Sequence, residues 1–285
     1  MINNIPSIYM RFPEGKGKAL TFSYDDGMIL DPRLIGILDK NNLKATFKIN
    51  SGIFYDSDKI PEKYSIYRRM TKEKVIETYA NTPHEVAIHG FTHSFLETLP
   101  SAAVVHEVLH DRERLEALFG KIIRGMAYPY GTYNDNVIEA LRACGILYAR
   151  TVRSTGTFDI PTDWLRLPAT CHHADPRLME LAEKFTKMET KRHSQLFYVW
   201  GHSYEFGEAD NWNVIEEFAE YMSGRDDIWY ATNIEIFEYI EDFKRLIYSA
   251  DCSIVRNPTN RTLYFSLNNV PNVIAIKPGE TLKLY

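Results

Sequence analysis

The chain has 285 residues, 45% of them hydrophobic and 25% charged, with a formal net charge of −5. That length suits one large α/β barrel with a small appendage, or two modest domains, in the proportions of an ordinary globular enzyme. The negative balance excludes a general nucleic-acid binder, since phosphate contacts need clustered Lys and Arg, and no stretch approaches the roughly 18 apolar residues of a membrane span.

Strand-like and helix-like patterns then alternate along the chain. Ala19–Tyr24 reads as the first strand, followed by a helix over Pro32–Lys40 whose proline suits the first turn after Asp31. A second strand, Ala45–Ile49, leads into the polar, Tyr-rich stretch Asp56–Arg69, which reads as a long loop. Helix Thr71–Tyr79, strand Glu85–His89 and helix Ala102–Phe119 follow, the last capped by Ser101 and ended by Gly120. Strand Met126–Pro129 precedes helix Asp135–Ala143, which stops before Gly145. Next come strand Ile146–Thr151, a weaker strand near Leu165–Pro168 and helix Pro176–Glu189. Strand Leu196–Gly201, helix Asn213–Met222, strand Ile228–Ala231 and helix Ile234–Ile247 complete the alternation.

Such repeated βα units predict an α/β fold, a distorted (β/α) barrel of seven or eight strands over residues 1–247. The first βα turn, YDDGM, lacks the GxGxxG fingerprint, so a dinucleotide fold has no support. Residues 248–285 read differently, as short strands with turns at Asn257–Pro258, Asn268–Asn269 and Pro278–Gly279. They predict a β-rich C-terminal extension, too small to fold without docking on the barrel.

Four segments carry chemistry. Asp25–Asp26–Gly27 ends the apolar run ALTFSY. Alone it would be an ordinary turn, but two adjacent carboxylates at the C-terminal end of a barrel strand stand where catalytic groups collect, and their repulsion calls for a cation or a shared proton. His89-Gly-Phe-Thr-His93 closes the next strand but one. Two imidazoles at this spacing can meet if the chain turns helically, and with a carboxylate they would complete a three-ligand zinc site with an open position. His106 and His110 share the spacing but lie within a long helix, where they are expected to face solvent. Tyr128-Pro129-Tyr130-Gly131 is a rigid turn able to aim a backbone N–H at a developing oxyanion. Trp200-Gly201-His202-Ser203 ends a further strand. Glu205 beside it is a candidate ligand or proton relay, with a solvent-facing loop carboxylate the preferred reading.

Together these segments resemble the polysaccharide deacetylases of carbohydrate esterase family 4, the nodulation-protein-like deacetylases. TFSYDDG is similar to the family's TFDDG motif, HGFTH to its HxxxH motif, AYPYG to its Arg-Pro-Pro-Tyr-Gly segment and VWGH to its late Leu-x-His motif, in the same order over roughly Lys18 to Tyr248. The resemblance implies Asp25 as general base, Asp26 with His89 and His93 as ligands of a divalent metal, zinc foremost, His202 as general acid, and the Tyr130 N–H at the oxyanion. Asp163–Trp164 look like the family's Asp-Trp pair, the aspartate supporting the acid histidine and the ring shaping the pocket. One departure stands out: Ala127 occupies the place of the arginine that orients the catalytic aspartate. Arg150, at the end of the next strand, or Arg166 would have to reach Asp25 instead, and Arg150 is preferred; a surface salt bridge is the equal alternative for it. Trp164, Trp200 and Tyr204 are candidates to stack on sugar rings, with burial in the core equally open to them.

The expected function is therefore metal-dependent removal of acetyl groups from N-acetylated sugars. Two alternatives remain: a metal amidohydrolase of a small non-sugar amide on the same barrel, and a carbohydrate-binding protein that keeps the metal with little turnover. An acetylated sugar is the expected partner, with no nucleic acid and no membrane, and a homo-oligomer is left open. Cys144, Cys171 and Cys252 form neither a CxxC pair nor a disulfide framework, and the first residues lack a secretory signal, so a cytoplasmic location is expected.

Overall fold

In the computed structural model, residues 7–56, 66–268 and 270–284 are described. Most of the loop expected over Asp56–Arg69, Asn269 of the turn expected at Asn268–Asn269, and the first six residues lie outside the described residues. In chain order the elements are β1 (Ile8–Arg11), β2 (Lys18–Asp25), α1 (Asp31–Lys40), β3 (Ala45–Ile49), α2 (Lys72–Tyr79), β4 (Glu85–Ile88), α3 (Ser101–Phe119), β5 (Gly125–Ala127), α4 (Asp135–Ala143) and β6 (Tyr148–Ser154). They continue with β7 (Leu167–Ala169), β8 (Cys171–His172), α5 (Leu178–Lys187), β9 (Gln195–Gly201), α6 (Ser203–Glu208), α7 (Asn213–Met222), β10 (Ile228–Tyr230) and α8 (Asn233–Lys244). Five short strands end the chain: β11 (Ile247–Tyr248), β12 (Ile254–Arg256), β13 (Leu263–Leu267), β14 (Val270–Ile276) and β15 (Thr281–Lys283).

The parallel strands pair in the order β7-β6-β5-β4-β3-β2-β9-β8. Strand β7 pairs with β6 and β8 pairs with β9, and only Thr170 separates the two, so one extended segment closes the sheet into a distorted barrel. The distortion is centred on β2. Its upper half, Phe22–Asp25, pairs with β3, while its lower end, Lys18–Leu20, pairs on the same parallel pattern with β10. The weak strand expected near Leu165–Pro168 is in fact β7, shifted because Trp164–Arg166 form a 3₁₀ turn in which the Asp163 side chain accepts the Leu165 N–H. Strands β1 and β8 and helix α6 are additions to the expected elements. The helix expected to run to Ile247 stops at Lys244, because Ile247 and Tyr248 pair with β12.

Period-two alternation places the chemistry. On β2, Leu20, Phe22 and Tyr24 point outward into the core shared with the helices, together with Phe47 and Ile49 of β3 and Phe197 and Val199 of β9. The alternate residues Thr21, Ser23 and Asp25 are equally buried but polar. They belong to the barrel interior, as do Thr46 and Lys48 of β3, and Asp25 is the last member of that inward series. Polar groups of this interior hydrogen-bond one another, which offsets the cost of burying them. Lys48 Nζ donates to Ser23 Oγ at 2.6 Å and to Asn233 Oδ1 at 3.0 Å, and Tyr198 donates its hydroxyl to the same Asn233 oxygen at 2.7 Å.

The final strands form two small antiparallel sheets, β1-β13-β14 and β11-β12-β15. A second apolar cluster joins them to the barrel, with Phe12, Tyr239, Val255, Leu263, Phe265 and Ile276 buried beside Ala19 and Leu196. Among the described residues no helix is long and apolar enough to cross a membrane. The three cysteines are unpaired.

Candidate active site

The C-terminal ends of β2, β4, β6 and β9 open on a cavity of about 430 Å³, lined among others by Asp25, Asp26, Arg69, His89, His93, Tyr130, Arg150, Trp200 and His202. Several of these residues hold a backbone shape that side chains avoid. Asp26 has φ 81°, His93 φ 57° and Tyr130 φ 58°. Left-handed non-glycine residues cost free energy and gather at functional sites. At Asp26 the conformation is held by its N–H donating to the Lys48 carbonyl at 2.8 Å.

Asp26, His89 and His93 bring their ligand atoms within 4.8 Å of one another. His93 Nε2 is 3.5 Å and His89 Nε2 3.9 Å from Asp26 Oδ1. The tautomer of His89 is set from behind: its Nδ1–H donates to the Ala127 carbonyl at 2.8 Å, so Nε2 presents a bare lone pair, as a metal ligand must. Burial holds the His89 pKa down to about 4 against the pull of Asp25 and Asp26, and burial likewise lowers that of His93. Both rings are therefore neutral donors. The turn carrying them is braced by Asp111, which accepts the His89 and Ser51 N–H groups at 3.0 and 2.7 Å, and by Asn50, whose amide donates to the carbonyls of His89 and Gly90. Two imidazoles and one carboxylate, with the imidazole tautomer fixed, make a donor set that fits a divalent cation such as zinc.

Asp25 is 1% exposed and its Oδ2 accepts the guanidinium of Arg150, itself 1% exposed. Burial alone would raise the Asp25 pKa, but Arg150, His89, His202 and Lys48 bring it down to about 2, so the group is a carboxylate. The register explains why an arginine on β6 can serve: Arg150 is the cross-strand neighbour of Ala127, and the small side chain of Ala127 leaves the interior open to it. The guanidinium also lies 4.2 Å from the Trp200 ring, a cation–π contact. Arg166 is elsewhere, paired with Asp135 and Asp163 at the surface.

Three expectations need correction. Asp163 does not stand beside His202; it is spent capping the Leu165 N–H and pairing with Arg166. Its neighbour Trp164 is 7% exposed and packs edge-on against Phe237, away from the cavity lining, and Trp200, although it lines the cavity, is only 9% exposed. Glu205 is not a solvent-facing loop carboxylate. It lies in α6, and its Oε2 is 3.4 Å from His202 Nδ1 and accepts the His202 N–H at 2.8 Å. Burial would lower the His202 pKa, but Glu205 and then Asp25 and Asp26 raise it above the ordinary histidine value. His106 and His110, the other pair at HxxxH spacing, are exposed on α3.

Sequence reasoning passed over Arg69, which donates to Asp26 Oδ1 at 2.7 Å, and the adjacent pair His172 and His173. The only sequence signal for the pair was the doublet CHH after a weak strand. Of the cavity-lining rings, exposed Tyr130 stacks on Phe95 with centroids 3.8 Å apart, and half-buried Tyr204 meets Tyr67 at 5.5 Å.

A parallel barrel whose rim gathers two carboxylates and three imidazoles around one cleft is a hydrolase-like architecture. Comparison with known proteins narrows the class. Residues 13–149 match the family model for polysaccharide deacetylase. It is 29% identical over 131 residues to a chitin deacetylase of Pestalotiopsis sp, a match spanning 45% of this chain and 38% of that relative's length. The fold is similar to that of a Mycobacterium smegmatis protein assigned as a polysaccharide deacetylase, with a TM-score of 0.61 at 20% identity over 84% of this chain and 95% of the other. It is also similar to a peptidoglycan N-acetylglucosamine deacetylase, with a TM-score of 0.50 at 15% identity over 81% and 92% of the two chains.

Proposed function

We propose that the protein is a metal-dependent deacetylase of N-acetylated sugars, with the reaction at the Asp25–His202 rim. The observation that carries this reading is the pairing, in one cleft, of a buried carboxylate held ionised with an imidazole whose pKa the neighbouring carboxylates raise, beside a donor set suited to a divalent cation. Amide hydrolysis asks for that combination, because water attacks weakly and an amine leaves poorly without a proton.

Asp26, His89 and His93 would hold the ion, which when bound supplies Lewis acidity toward the acetyl carbonyl and the attacking water. Asp25 takes the proton of that water, and Arg150 keeps its carboxylate ionised and aimed. The Tyr130 N–H, turned by the left-handed backbone between Pro129 and Gly131, hydrogen-bonds the oxygen on which negative charge develops. His202 gives its proton to the nitrogen as the C–N bond breaks. Tyr130, stacked on Phe95, shapes a wall against which a sugar ring can lie. An O-linked acetyl group would leave more readily by the same steps.

Incubation of the metal-replete protein with N-acetylglucosamine oligomers is expected to release acetate, and Asp25→Asn or chelator treatment to abolish it. Undiminished acetate release by Asp25→Asn would overturn the role of the base, and no release by the wild type would overturn the substrate class.

A further inference from the structure

Next to His202 stands a cluster that the steps above leave unused. His172 and His173 end the segment that closes the barrel, and their Nε2 atoms lie 3.2 and 3.3 Å from Glu205 Oε2, the oxygen that also faces His202 Nδ1 at 3.4 Å. Two chemistries suit such spacings. A tetrahedral zinc with bonds of ~2.0–2.1 Å would set its ligand atoms about 3.3 Å apart. A ring of N–H groups around one carboxylate would look much the same.

Proton bookkeeping separates them. The Ala174 N–H donates to His172 Nδ1 at 3.1 Å, so in the neutral ring the proton sits on Nε2, which meets Glu205 as a donor and has no lone pair for a metal. His173 is 2% exposed, stacked between Tyr24 and Phe206. Burial, with His172 and His202 nearby, keeps it neutral, its pKa down to about 3. Among the described residues its Nδ1 has no partner, and beside a carboxylate the proton of a neutral ring belongs on Nε2. Gly201 leaves the room this ring occupies, since any side chain there would run into it. Two ring nitrogens thus face Glu205 Oε2, which accepts the His202 N–H at 2.8 Å and lies 3.4 Å from His202 Nδ1.

We propose that Glu205, clamped by His172 and His173, is the positioning residue of His202, anchoring the ring at Nδ1 so that Nε2 serves the cleft. This rests on the reading of His202 as the proton donor. It assigns to an α6 glutamate the support that Asp163 does not give, and it makes the cluster a hydrogen-bonded clamp and not a second metal site.

The test uses the full chain and two readouts that need no substrate. The imidazole NMR signal of His202 is followed against pH in the wild type, Glu205→Gln and Glu205→Asp, and zinc stoichiometry is measured on the same samples. The expected result is a His202 midpoint lowered by about one pH unit or more in Glu205→Gln, partly restored in Glu205→Asp, with one zinc per wild-type chain and no change in stoichiometry in the variants. Where acetate release is measurable, kcat should fall ~10–100-fold with KM nearly unchanged, the signature of a lost proton-transfer contribution. An unmoved His202 midpoint in a folded Glu205→Gln overturns the proposal. So does a second zinc bound per wild-type chain, a result that can be read even if the variant does not fold. Absence of acetate with the expected NMR shift would instead fault the substrate reading alone.

Discussion

At the residue scale the pairing of Asp25 with Arg150 decides both charge and stability. Both side chains are buried, and removing one partner of such a pair leaves an uncompensated charge in a low-dielectric interior. Arg150→Met should therefore destabilise the fold by ~3–5 kcal/mol at neutral pH, measured by urea unfolding. The sign of the pH dependence follows from Asp25, whose pKa lies at about 2 in the fold against an ordinary 3.8. A depressed carboxyl contributes stability that is present above its unfolded value and is lost as pH falls through the folded one. In Arg150→Met the buried carboxyl would instead titrate high, and protonation would relieve it. The gap between wild type and variant should thus narrow from pH 7 to pH 3; a gap that widens would contradict the assignment. Asp25, Asp26, His89, His93 and His202 were legible because each closes an apolar run, where alternation and strand ends can be read directly. His172, His173 and Arg69 were not, since each depends on a partner far away in sequence, and short polar segments offer no periodicity to point there.

At the scale of elements, the helices and strands of the barrel are written locally, by apolar alternation and by their caps. Asn134 accepts the Val137 N–H to start α4 and Thr71 accepts the Lys74 N–H to start α2, both signals of the usual N-cap kind. Helix α8 shows what such a cap supports. Thr232 and Glu235 form a reciprocal capping box, and the first helical residue, Asn233, reaches into the barrel to meet Lys48 and Thr21. Burial drives the Lys48 ammonium pKa down, so the Asn233 oxygen facing it is not a dispensable contact. Thr232→Ala should cost about 1 kcal/mol by chemical denaturation; an unchanged midpoint would show that the box is not what holds the start of α8. Elements that lack local signals were the ones missed. Strand β1 is specified by β13, to which it pairs Ile8 with Leu267 across most of the chain. Strand β8 is two residues long and gains its meaning only from closing the ring onto β9.

At the scale of the whole molecule, the barrel and the two small sheets share one buried seam. Phe12, between β1 and β2, packs against Trp229 and Tyr239, and the Tyr239 hydroxyl donates to the Arg11 carbonyl at 2.6 Å while accepting the Tyr264 N–H at 3.0 Å. The final strands are thereby docked through the same helix, α8, that supplies the interior of the barrel. The barrel itself was legible from the count of βα units; its seam was not, because pairing across it joins the two ends of the chain. The central claim concerns the opposite rim, and the most direct measurement strips the protein of metal and titrates zinc back while zinc occupancy and acetate release from N-acetylglucosamine oligomers are followed together. Activity and occupancy should rise in parallel and saturate at one equivalent, with zinc affinity sharply lost in His89→Ala and His93→Ala. Full activity of the stripped protein, or zinc binding indifferent to both substitutions, would contradict the account.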